Sequence, residues 1–159
     1  MKVLIVVAVL VVIGLIIYWI TRVSAHANRS EIAQVTLRFE LPDKGEPGSA
    51  TTRQKAAVAT LGFERDFANQ LSSEQAHVLL SARNYVEAVL DRHWDENHDH
   101  RHPYEAVRKG LMSIIVNEPA LRDYVTAWSD REYRSGRDEP QLPRTPEHEQ
   151  ILAAYRELT

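Results

Sequence analysis

SSEQAHVLLSARNYVEAVLDRHW, residues 72–94, is the stretch from which the fold is read. Ser72 and Gln75 stand in the relation of a capping box, in which each side chain satisfies an amide that the first helical turn leaves open. From there Val78, Leu79, Ala82, Tyr85, Val86, Val89, Leu90 and Trp94 recur at three- and four-residue steps and gather on one broad apolar face. A helix with such a face must be covered by other elements, so its neighbours in the chain decide the architecture.

Downstream, PYEAVRKGLMSIIV (103–116) repeats the pattern with Val107, Leu111, Ile114 and Ile115, and Pro103 suits a first turn. Asn117 is then expected to cap a further helix, EPALRDYVTAWSDREYRSG (118–136), in which Leu121, Tyr124, Val125 and Trp128 share one side and Gly136 ends the run. RDEPQLPRTP (137–146) carries three prolines and reads as extended linker. Thr145 as cap and Pro146 as first residue open a terminal helix that uses Ile151, Leu152, Tyr155 and Leu158. Upstream, residues 51–71 give a weaker helical signal, with a break at Gly62 and with Phe63 and Phe67 one turn apart.

Nearer the amino terminus the period changes. VTLRFEL (35–41) alternates apolar Val35, Leu37, Phe39 and Leu41 with Thr36, Arg38 and Glu40, a strand signal, although Ile32, Val35 and Phe39 also fit helical spacing. A lone strand needs a partner for its backbone groups, either a second short strand or an edge on another protein. Pro42 ends it, and DKGEPGSA (43–50) follows as a glycine- and proline-bearing loop.

Residues 3–20, VLIVVAVLVVIGLIIYWI, contain no charge and no proline. Eighteen helical residues are about 27 Å long, close to the hydrocarbon thickness of a bilayer, so this run is expected to be a single spanning anchor. Tyr18 and Trp19 suit the interfacial belt, with Lys2 before and Arg22 after. Ala25-His26-Ala27 has the small-x-small form of a signal-peptidase site, but the apolar run exceeds the usual signal-peptide core. Positive charges are nearly balanced about the run, and the short amino-terminal tail is easily translocated. The expected setting is therefore a bacterial cytoplasmic membrane with the soluble domain in the cytoplasm.

The expected organisation is mainly α. It comprises a transmembrane anchor (1–22), a juxtamembrane segment with the strand signal and loop (23–50), a helical domain (51–136), a proline-rich linker (137–145) and a terminal helix (146–159). After residue 20 there are eighteen Lys and Arg against twenty-two Asp and Glu, a net charge of −4 with no basic run, which argues against a nucleic-acid partner. The absence of cysteine excludes disulfides, thiolate metal sites and c-type haem attachment.

The chemical question centres on DRHWDENHDHRHPYE (91–105), which holds four of the seven histidines. His98, His100 and His102 alternate with Asp99 and Arg101, so an extended chain puts three imidazoles on one face, and with Asp99 they form a candidate ligand set for zinc, copper or nickel. Against this, a polar loop between helices accounts for the same composition, and no second ligand pair at zinc spacing occurs elsewhere. Asp95, Asn97 and Asp99 imitate the start of a calcium loop, but His100 replaces its glycine and Ala106 its terminal glutamate. His93 is expected to lie on the apolar face beside Trp94 as a core histidine. No phosphate loop, dinucleotide fingerprint, nucleophile elbow or HExxH pair is present, so the chain is read as non-enzymatic. The expected function is a membrane-anchored accessory, assembly or scaffold protein whose helical domain binds a protein partner; the alternative is a tethered metal-binding or metal-sensing domain.

Overall fold

The computed structural model describes residues 39–95, 100–135 and 140–159. They belong to the second of two units into which the chain divides, Leu37–Thr159. Among the described residues the protein is mainly helical: α1 (Thr52–Ala59), α2 (Arg65–Gln70), α3 (Ser73–His93), α4 (Tyr104–Asn117), α5 (Pro119–Ser135) and α6 (Pro146–Leu158). None of these helices is long and apolar enough to cross a membrane. The apolar run at 3–20 lies outside the described residues.

Local chemistry sets most boundaries. Thr51 and Ser72 each close a capping box, with Gln54 and Gln75 respectively. Ser72 is buried, and its hydroxyl also donates to the Lys44 carbonyl at 2.6 Å, so the start of α3 holds the 42–50 loop as well as its own amide. Gly62, at φ +83, makes the left-handed turn between α1 and α2 that a side chain would strain. Thr145 caps α6 with Pro146 just inside it. The break between α4 and α5 is a single extended residue, Glu118, because Pro119 disfavours helical geometry in the residue before it. Asn117 is thus the last residue of α4 and not the cap expected from the sequence.

The long helix α3 is the centre of the bundle, packing against α1, α4 and α5, while α6 lies against α4 and α5. Its inner face buries Leu79, Tyr85, Val86, Val89 and Leu90, which meet Val107, Leu111 and Ile115 of α4 and Leu121, Val125 and Trp128 of α5 in one core. Each such side chain contributes about 1.5–3 kcal/mol of burial. Ile151, Leu152 and Tyr155 seal the core from α6.

Two expectations are corrected here. No strand occurs among the described residues: of the expected strand at 35–41, residues 35–38 lie outside them, and Phe39, Glu40 and Leu41 are irregular. The backbone of Glu40 is satisfied by side chains instead of a ladder: its amide donates to Asn117 Oδ1 at 2.7 Å and its carbonyl accepts from Arg122 at 3.5 Å. Phe39 meets the edge of Phe63, itself beside Phe67. The other correction is His93, which is exposed at the end of α3, where the apolar stripe gives way to Asp91 and Arg92 on the surface. Its carbonyl accepts from the Tyr155 hydroxyl at 2.8 Å and thereby ties α6 to α3.

Candidate functional site

The four residues proposed as metal ligands are only partly described. His98 and Asp99 lie outside the described residues. His100 stacks its ring on Trp94 at 3.8 Å, and Trp94 in turn takes the edge of Tyr104. The ring nitrogen Nε2 of His100 donates to the Asp95 carbonyl at 2.7 Å, which leaves Nδ1 as the nitrogen able to ligate, and Nδ1 is buried. His102 is exposed. No group of three or more His, Cys, Asp or Glu able to hold a metal occurs among the described residues, which include only His100 and His102 of the expected set.

A different histidine is the buried one. His148, on the first turn of α6, is 5% exposed and its Nδ1 lies 2.7 Å from the hydroxyl of Tyr85. That hydroxyl is also 3.4 Å from the hydroxyl of Tyr124, and the Tyr85 ring meets Trp128 edge to face at 4.7 Å. The Trp128 indole N–H donates to the Gln141 carbonyl at 2.8 Å and so holds the linker against the bundle. Burial holds the His148 imidazole below the usual histidine range, while the Glu149 carboxylate works in the opposite direction. Burial also pushes the Tyr85 phenol far above its ordinary range, and its bond to Tyr124 adds to the effect. Tyr85 and His148 thus share a hydrogen bond between a neutral phenol and a neutral imidazole, a structural bond at the centre of the fold. A signal for it exists in the sequence, since His148 shares the three- and four-residue spacing of Ile151, Leu152 and Tyr155.

One open concave feature lies between α1, α3 and α5. Both α1 and α5 pack on α3, and between them runs a groove of about 600 Å³. Arg53 and Ala57 line it from α1, His77, Leu80, Ser81 and Asn84 from α3, and Ser129 and Asp130 from α5. The α3 residues follow the helical repeat, so they form one stripe. His77 Nε2 and Asp130 Oδ1 are 3.2 Å apart, and both side chains are half-exposed. This pair separates the groove from a smaller one of about 340 Å³ beside Glu74, Arg122 and Asp123. Ser81 is 1% exposed, and its hydroxyl has no hydrogen-bond partner among the described residues.

Searches among protein-family models, curated proteins and solved structures found no match for this chain. By its fold it is a mainly helical protein with a filled core and open surface grooves.

Proposed function

We propose that the protein is a membrane-anchored accessory or scaffold subunit whose helical unit docks a protein partner. The observation that carries this reading is the groove between α1, α3 and α5, a concave surface lined mainly by polar side chains. Support for the membrane setting is the uncharged run at 3–20, long enough to span a bilayer once. Tethering concentrates a small domain beside a membrane partner, so modest contacts suffice for association. The partner is a protein and not a nucleic acid, in keeping with the acidic balance of the chain beyond residue 20.

The test is extraction of the full chain in mild detergent with identification of what co-purifies. A defined membrane complex containing the protein in fixed ratio is the expected result. Recovery of the chain alone from the membrane, or its recovery entirely in the aqueous fraction, would refute the proposal.

A further inference from the structure

The groove between α1, α3 and α5 contains a polar group that folding leaves unsatisfied. A buried hydroxyl without a partner destabilises the native state, and natural folds rarely keep one without a reason. Ser81 is such a group, nearly fully buried and part of the groove lining. Around it, the neighbouring polar groups divide into two sets. Thr51 and Gln54 are engaged in the capping box of α1, and His77 is engaged with Asp130. Arg53, Asn84 and Ser129 have no hydrogen bond or ion pair among the described residues.

The unspent set is two hydroxyls, one carboxamide and one guanidinium, beside the small apolar surfaces of Ala57 and Leu80. No Phe, Tyr or Trp lines the groove, and its one imidazole, His77, is engaged with Asp130, so the lining is poorly suited to stacking a base or a sugar. A phosphate group would find a single guanidinium, Arg53, for its charge of nearly two, whereas one carboxylate matches it. The carboxamide of Asn84, by contrast, carries both a donor and an acceptor and matches the N–H and C=O of a peptide group, and the hydroxyls of Ser81 and Ser129 serve either role. A bound helix would keep its backbone groups to itself and would need an apolar floor, whereas an extended chain uses hydroxyl and amide partners. From His77 to Asn84 the α3 stripe is about 10 Å long, room for roughly three extended residues.

We propose that this groove binds an extended segment of the partner polypeptide, whose main chain is held by Ser81, Asn84 and Ser129 and whose acidic side chain meets Arg53. The inference deepens the partner-binding reading and rests on it. Ser81 then has a double effect: its hydroxyl costs stability in the free protein and is satisfied when the segment is bound.

The experiment uses the full chain in mild detergent and a display library of short random peptides. Recovered peptides are expected to share an acidic position. Their affinity, read by fluorescence anisotropy, falls about tenfold in Ser81→Ala and in Asn84→Leu, the loss expected for one buried hydrogen bond. Arg53→Glu shifts the recovered sequences from acidic to basic. Ser81→Ala also melts at a temperature equal to or above that of the parent, a combination a merely structural serine would not give. Asn84 and Arg53 are exposed, so their variants remain informative whatever Ser81→Ala does to folding. Peptides that bind parent and all three variants alike, or a library that yields no enrichment, would overturn the groove assignment. Co-purification of a membrane partner that survives Asn84→Leu with Arg53→Glu also overturns it, while leaving the partner-binding reading intact. Groove-dependent peptide binding without any membrane partner supports the groove and refutes the anchored-subunit reading.

Discussion

Replacing Tyr85 by Phe removes one oxygen from the centre of the bundle. Tyr85 is fully buried, and its hydroxyl is 2.7 Å from His148 Nδ1 and 3.4 Å from the Tyr124 hydroxyl. Phe keeps the ring, so the edge-to-face contacts with Trp128 and Tyr124 survive and little cavity forms. What is lost is the hydrogen-bond partner of a buried imidazole nitrogen, and a buried polar group left unsatisfied costs about 1–3 kcal/mol. Taking about 2 kcal/mol as the centre, and about 2–4 °C per kcal/mol for a chain of this size, the melting temperature should fall by about 4–8 °C. Urea titration of Tyr85→Phe, His148→Phe and the double variant gives the coupling between the two sites. A coupling of about 1 kcal/mol or more is expected, since residues in one hydrogen-bond network are not additive. Additivity within about 0.5 kcal/mol would refute the bond and with it the account of how α6 is docked.

Burial lowers the His148 pKa in the folded state, so between that lowered value and its ordinary 6.5 the unfolded chain binds more protons. Its contribution to stability is therefore complete above pH 6.5 and is lost as the pH falls below it; denaturant midpoints between pH 8 and pH 5 should show the loss in the parent and a smaller one in His148→Phe. Ser72→Ala removes the cap of α3 and the tie to the Lys44 carbonyl together, and should lower stability by about 1–2 kcal/mol in urea titration with α3 remaining helical by circular dichroism. Metal analysis of protein equilibrated with zinc, copper or nickel should give well under one equivalent, because the ligating nitrogen of His100 is buried and its other nitrogen is bonded to Asp95. Stoichiometric metal that disappears in a variant with His98, His100 and His102 all changed to Ala would reverse that conclusion.

Legibility followed the range of the interaction. The apolar face of residues 78–90, the spacing in α4 and the stripe of α6 were readable because helical periodicity is written in neighbouring residues. The alternating pattern at 35–41 pointed elsewhere. Its described part, Phe39 to Leu41, is irregular, since alternation specifies a strand only where another strand completes the ladder, and the Glu40 groups are met by Asn117 and Arg122. The histidine cluster drew attention by composition, whereas the histidine that matters to the fold stands alone in sequence as His148. Trp94, read as part of the apolar face, forms an aromatic cluster with His100 and Tyr104 at the end of α3.

By itself the sequence determined where helices begin and turn: Thr51 with Gln54, Ser72 with Gln75, Thr145 with Pro146, and the glycine at 62. These are contests between a backbone amide and a side chain a few residues away, decided by local chemistry alone. Only the tertiary structure decided that Tyr85 meets His148 across sixty-three residues, that Glu40 meets Asn117 across seventy-seven, and that α1 and α5 leave a groove over Ser81. Those outcomes depend on which helix faces meet when the core closes, and no short window of sequence contains both faces.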